Sequence, residues 1–310
     1  LKENELVKSI QSLEKIVDPV SKKVQEQYEE NPYPRWRCTS KILSTNFFNW
    51  FNEEIKPNKI KYNNKFDSPN VLVAGCGTGS HPITTTRYKN SNILAVDLSL
   101  TSLAYAKRKT EELNIKNIEY IQADILQLKK LNKKFDIIES SGTLHHMKDP
   151  VKGLKVLLDI LEPHGFLKLG LYSEIARRDI TEIRKFIKNK NYKGTNKDIK
   201  ACRQDIVNKK VNPLIQEFSN FKDFYSTSSV RDLLFHVQEH RFTIPQISKI
   251  VKDLNLEFLG FFFSDPIVKK KFSESFPEDK KNTSLDNWHQ FEINNPDTFS
   301  SMYQFWIRKI

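Results

Sequence analysis

Three glycines at alternate positions, Gly75, Gly77 and Gly79, follow Val71-Leu72-Val73-Ala74 and lead into Ser80. A backbone without Cβ atoms can turn sharply and lie against a ligand. The apolar run before the glycines reads as a buried parallel strand. The hydroxyls of Thr78 and Ser80 suit a helix start. Strand, glycine turn and helix N-terminus make the first half of a nucleotide-type site, with Gly75, Cys76, Gly77 and Gly79 at the ligand. Asp97 lies 22 residues after Gly75, at the end of Ile93-Leu94-Ala95-Val96. A carboxylate at such a strand tip accepts hydrogen bonds from two ribose hydroxyls. The spacing is G-x-G-x-G, with Ser80 where the longer dinucleotide pattern has its last glycine. Taken alone, it leaves both a dinucleotide and another adenosyl cofactor open.

Other residues add chemistry to this frame. Ser140, Ser141, His145 and His146 follow the apolar stretch from Phe135. His145 is placed to serve as a general base there, or to cap the next helix. His236-Val237-Gln238-Glu239-His240 matches H-x-x-E-H, a zinc-hydrolase pattern, but no third ligand is identifiable. The alternatives for His236 and His240, with Arg231 and Arg241, are substrate contact and plain helix packing; no metal is expected. Tyr28, Tyr33, Arg35, Trp36 and Arg37 crowd a stiff segment with Pro32 and Pro34. This segment is either a stapled arm or a lid. As a lid it sets Tyr28 and Tyr33 over the ligand and an arginine against a carboxylate. Tyr172 and Tyr225 are further pocket candidates.

The elements that must hold these residues alternate. Leu6, Ile10, Leu13, Val17, Val20 and Val24 predict two helices broken at Pro19. Residues 42–55 read as a buried helix and 56–70 as a linker. Strands are expected at 71–74, 93–98, 118–125, 135–140 and 165–172. Helices are expected at 81–89, at 99–113 with Ser99 as N-cap and Leu103, Ala106 and Leu113 inward, and at 151–161. This alternation means a parallel sheet with right-handed crossovers. Beyond it come helices at 180–187, 198–208, 229–237 (capped by Ser228) and 244–254, then strands at 256–263 and 302–308.

The ordered set Val-Leu-x-x-Gly-Cys-Gly-Thr-Gly, Val-Asp-Leu-Ser, Ala-Asp-Ile, Phe-Asp-Ile-Ile with Leu-His-His-Met, and Leu-x-Pro-x-Gly-Phe-Leu resembles class I S-adenosylmethionine-dependent methyltransferases from about Val71 to Tyr172. The resemblance implies an α/β, Rossmann-like seven-stranded sheet in the order 3-2-1-4-5-7-6, strand 7 antiparallel. It implies S-adenosyl-L-methionine as cofactor, the glycines under its methionine part and Asp97 with Leu98 at the ribose. Asp124 and Ile125 fall at the adenine, Glu139 and Ser140 near the sulfonium. The acid usual in this family two residues before the first glycine is Val73 here, so another polar anchor is needed, and the N-terminal arm is a candidate. Residues 1–60 are expected as a helical arm or lid and 61–310 as the methyltransferase domain, with a helical insertion at about 173–242. No Asn-Pro-Pro-Tyr-like element follows strand 4, which argues against an adenine-amine or glutamine-amide acceptor. The arm, residues 231–242 and 295–299 are similar to the methyltransferase domain at the end of bacterial tetratricopeptide-repeat proteins. That implies a possible repeat segment in a longer parent chain, and favours a protein acceptor over a small metabolite.

Composition bounds the rest. The chain has 310 residues, is 38% hydrophobic and carries a formal net charge of +12. The excess is spread through lysine-rich segments, so specific nucleic-acid binding is not favoured over solvated surface, although a basic non-catalytic binding module stays open. An NAD(P)-dependent oxidoreductase is the other alternative. Cys38, Cys76 and Cys202 form no zinc pair or disulfide framework and fit a reducing, cytoplasmic setting. No apolar run reaches the roughly 20 residues of a membrane helix. The first residue, Leu1, is not Met, as in a piece of a longer protein.

Overall fold

The computed structural model describes residues 2–40, 42–208, 211 and 213–310. The expected arm and insertion also run through positions 1, 41, 209, 210 and 212, which lie outside the described residues. The strands are β1 (Gln11–Ser12), β2 (Asn70–Ala74), β3 (Asn92–Asp97), β4 (Ile118–Gln122), β5 (Phe135–Ser141), β6 (Leu161–Tyr172), β7 (Leu256–Phe261) and β8 (Met302–Lys309). They form one sheet in the order β1-β4-β3-β2-β5-β6-β8-β7. β8 runs antiparallel to β6 and β7, and the other pairs are parallel. From β4 to β7 this is the expected order 3-2-1-4-5-7-6. The added edge strand β1 was not legible, because its two residues lie inside a helical apolar spacing. Two helices still flank it, Lys2–Ser9 and Pro19–Glu30, the second capped by Asp18 with Pro19 at its first turn.

β2 is buried on both faces, from Val71 to Ala74. The chain winds from β2 to β3 and β4 on one side, then returns to β5 and β6 on the other. The carboxyl ends of β2 and β5 are therefore the switch point where ligands sit in such sheets. One face packs on Phe47, Phe48 and Phe51, and the other on Leu154, Leu157, Ile247 and Trp288. The helices at 178–235 bury a core of their own, including Ile199, Cys202, Phe218 and Val230.

Several local expectations shift. The helix expected at 42–55 is only Phe47–Glu54, capped by Asn46. Leu113 is not inward: it is the C-cap of Leu100–Glu112 and exposed. The helix Thr227–Phe235 is capped by Ser226, not Ser228, because Ser226 Oγ accepts from the Ser229 amide. That helix ends before His236, so H-x-x-E-H is not a helical motif here. Helices Pro266–Ser275 and Leu285–Asn294 went unassigned in the sequence; they are tied by Phe272 stacked on Trp288 at 3.7 Å between ring centroids.

Candidate cofactor and acceptor site

The glycine bend is held from both sides. The amides of Gly75 and Cys76 donate to the Val96 carbonyl at 2.9 and 3.0 Å. Asp97 Oδ2 accepts from the Gly77 amide at 2.8 Å, and Oδ1 from the Ser99 amide at 3.0 Å. Burial raises the Asp97 carboxyl, and these amide bonds oppose the rise. The geometry explains two of the glycines in unexpected terms. Gly77 (φ +51°) presses on the arm: a Cβ there would lie 2.6 Å from the Tyr33 carbonyl oxygen. Gly79 (φ +92°) leaves the ligand side and packs on the next helix, with a Cβ falling 2.5 Å from that of Ala106. Both sit in the left-handed region that side chains disfavour.

Above the bend lies a cavity of about 640 Å³, within the ordinary range for small-molecule sites. Gly75, Cys76, Gly77, Asp97, Leu98, Asp124, Ile125, Glu139, Tyr28, Tyr33 and Tyr172 all reach its wall. The arm roofs it. Glu29 accepts from the amides of Leu100 and Thr101 at 2.7 and 3.0 Å, which fixes the arm to the helix start after β3. Trp36 Nε1 donates to the Thr78 carbonyl at 3.1 Å, and the Thr78 hydroxyl donates to the Pro34 carbonyl.

The remaining candidates stand elsewhere. Ser140 is wholly buried and donates to the Ala74 carbonyl. Arg35, Trp36 and Tyr225 line a separate groove between the arm and the helices at 178–235. Arg231 pairs with Glu30. His240 Nε2 faces the Gln238 side chain at 3.0 Å. His145, the expected base, is buried and stacked on Tyr172 at 3.7 Å between centroids. Its Nδ1 accepts from the Tyr172 amide, which fixes the ring within the protein rather than toward the cavity.

Instead His146 and Asp232 face the cavity, with Asp223 and Thr143. His146 Nδ1 donates to the Gln238 carbonyl at 2.7 Å, so its Nε2 keeps a lone pair. Burial holds this ring neutral, its pKa lowered to about 3. His236 Nδ1 accepts from the Gln238 amide at 3.2 Å, which leaves the proton on Nε2. That proton goes to Tyr28 Oη at 3.1 Å, and Tyr28 donates to Asp232 Oδ1 at 2.6 Å. Burial pushes the Asp232 carboxyl up to about 7, against the pull of Tyr28 and Arg177. Glu239 is bound to Arg177 at 2.7 and 3.1 Å and to Arg184 at 2.7 Å.

His146, Asp232 and His236 bring ligand-type atoms within 4.8 Å of one another. The two imidazoles, however, stack with centroids 3.5 Å apart and planes 15° from parallel. Nitrogen lone pairs lie in the ring planes, so two such planes cannot both aim at one ion. In this geometry His236, Tyr28 and Asp232 form a hydrogen-bonded relay, with His146 stacked beside it. Asp232 carried no motif, and His146 stood in the Leu-His-His-Met stretch without being the expected base; the insertion's placement over the sheet brings the two together.

The switch-point bend, the carboxylate at the β3 tip and the cavity above them make a site of the kind found in class I S-adenosylmethionine-dependent methyltransferases, and the comparisons support that class with S-adenosylmethionine as cofactor. Residues 71–165 match a family model described as a methyltransferase domain. An uncharacterised protein of Synechococcus is 27% identical over 73% of this chain and 56% of its own length. A release factor glutamine methyltransferase of Flavobacterium psychrophilum is 39% identical over 42% of this chain and 47% of its own. The structure of PKMT2 from Rickettsia typhi in complex with AdoHcy overlays with a TM-score of 0.60 at 17% identity, covering 87% of this chain and 54% of that one. The last likeness is one of fold. The chain thus spans about half the length of the relatives it matches. No helix among the described residues is long and apolar enough to cross a membrane.

Proposed function

We propose that the chain methylates an amine, carried on a protein side chain, at the face of the cavity formed by Tyr28, Tyr172, His146 and Asp232. The observation that carries the reading is the position of Asp232: a buried carboxylate, among aromatic rings, facing the same cavity as the glycine bend. When bound, S-adenosylmethionine supplies an electrophilic methyl group. The chain's residues then have three tasks. Gly75, Gly77 and Asp97 fix the nucleoside, since alignment is most of the catalysis such a transfer needs. The rings of Tyr28, Tyr33 and Tyr172 and the carboxylates of Asp223 and Asp232 attract a cationic nitrogen. Asp232, with a pKa near neutrality, then holds the proton the nitrogen must lose. The arm keeps water away.

A protein acceptor is favoured over a small metabolite by the likeness of the arm and residues 231–242 to repeat-bearing bacterial methyltransferases, and a repeat segment in a longer parent chain fits it. We place the reaction in the cytoplasm on the strength of three thiols without a disulfide framework.

The test is to incubate cell extract with methyl-labelled cofactor and the purified chain, then separate by size and by acid-stable amine label. Label in protein, lost with Asp97→Ala, is expected; label confined to small molecules rejects the protein acceptor. Asp97→Ala should also weaken S-adenosylhomocysteine roughly 30-fold or more by calorimetry, since hydrogen bonds to a charged group contribute about 1.5–3 kcal/mol each.

A further inference from the structure

We infer that the groove between the arm and the helices at 178–235 seats an acidic segment of the acceptor protein, and so brings its amine to the neighbouring cavity. This rests on the protein-acceptor reading above. The groove has a volume of about 1110 Å³, above the roughly 300–1,000 Å³ usual for small-molecule sites. The arm forms one wall. Helix Leu100–Glu112 contributes Tyr105, Arg108 and Lys109, and the facing wall carries Asn196, Lys200 and residues 225–228. The acids of the groove are already engaged: Glu3 pairs with Arg108 at 2.8 Å, and Glu30 with Arg231. Lys109 pairs with Glu112 at 3.0 Å. Three cations are left over. Arg35, Arg37 and Lys200 line the groove, are exposed and have no ion-pair partner among the described residues. They stand on both walls, so a ligand that balances them carries several negative charges rather than one.

The rings of the groove favour a peptide over a nucleic-acid strand. Trp36 and Tyr105 meet edge to face at 5.9 Å between centroids, beside Lys109 at 5.5 Å from the Trp36 ring and Arg108 at 4.9 Å from the Tyr105 ring. Both rings are half-buried, which leaves Tyr225 as the exposed ring of the groove. A single strand of nucleic acid stacks successive bases on several rings, whereas carboxylates need only the cations. The groove also adjoins the cavity. Pro34 lines both, and the short turn Lys222–Tyr225 gives Asp223 to the cavity and Tyr225 to the groove. An acceptor with its acids against Arg35, Arg37 and Lys200 can therefore present an amine, a few residues away, to Asp223 and Asp232. The two sites attract opposite charges.

The test is fluorescence anisotropy on the full chain with two short labelled peptides. One carries a lysine among glutamates; its twin has glutamine at every glutamate. The acidic peptide should bind at least about tenfold more tightly. Arg37→Glu with Lys200→Glu should weaken it about tenfold and leave the thermal transition and S-adenosylhomocysteine affinity unchanged. Lys155→Glu with Lys271→Glu makes the same charge change outside the groove, on helices Pro150–Ile160 and Pro266–Ser275, and should leave peptide binding as in the wild type. Equal affinity for the two peptides overturns the groove. So does an equal loss in both double variants, which marks net charge alone. Tighter binding of a thymidine oligonucleotide of the same charge, abolished by the groove variant, overturns the protein segment. None of these readouts needs methyl transfer. A failed groove with Asp97-dependent label still entering protein removes the groove alone. A working groove with no label in protein removes the acceptor reading, and the segment's assignment with it.

Discussion

At Asp232 burial and charge act together on one carboxyl. Its carboxyl is raised from 3.8 to about 7, chiefly by desolvation. A raised acid binds its proton in the folded state while the unfolded chain has lost it. Stability therefore falls as the pH climbs from about 4 to 7, and the cost is fully present above 7. Removing the charge should relieve it. In urea unfolding, Asp232→Asn should gain on the wild type between pH 4.5 and pH 8 by on the order of 3 kcal/mol. An equal difference at both pH values would show that Asp232 is not held near neutrality. Nothing in the sequence singled out this residue. His145 looked better placed, in the turn after a core strand, but its ring turns inward onto Tyr172.

At the scale of elements, the arm and the glycine bend interlock. Glu29 ties the arm to the start of helix Leu100–Glu112 through two backbone amides and the Thr101 hydroxyl. Glu29→Gln should free the arm locally, since hydrogen bonds to a charged group are stronger than neutral ones. We expect faster cleavage by trypsin at Arg35 and Arg37 with global unfolding changed by less than about 1 kcal/mol; an unchanged cleavage rate would separate the arm from this contact. Gly79→Ala acts differently. Its φ of +92° and the Ala106 contact give strain and overlap together. A loss of roughly 2–4 kcal/mol in urea unfolding is expected, against under 1 for an exposed helix site. The glycine pattern was legible in the chain. What each glycine yields to was not: Gly77 yields to the arm and Gly79 to a helix.

At the scale of the whole molecule, core strands, arm and insertion all contribute to one cavity wall. Ligand binding should therefore stabilise the chain as a unit. At 100 times its dissociation constant, S-adenosylhomocysteine adds about 2.7 kcal/mol, which for a chain of this size raises the melting temperature by about 4 °C. A calorimetric scan with NAD in its place should show no shift; a shift with NAD alone would reverse the cofactor assignment. The sequence by itself determined the alternation of strands and helices, the bend and the β3 carboxylate, because these follow from local apolar periodicity and residues close along the chain; the strand order followed only from the resemblance of the ordered motifs to a known family. Only the tertiary structure decided the acceptor wall. Tyr28, His146, Asp232 and His236 are separated by up to 208 residues, and no local rule links them. Folding the insertion and the arm over the switch point brought Tyr28, Asp232 and His236 within hydrogen-bonding distance and stacked His146 on His236, and burial then set their charges.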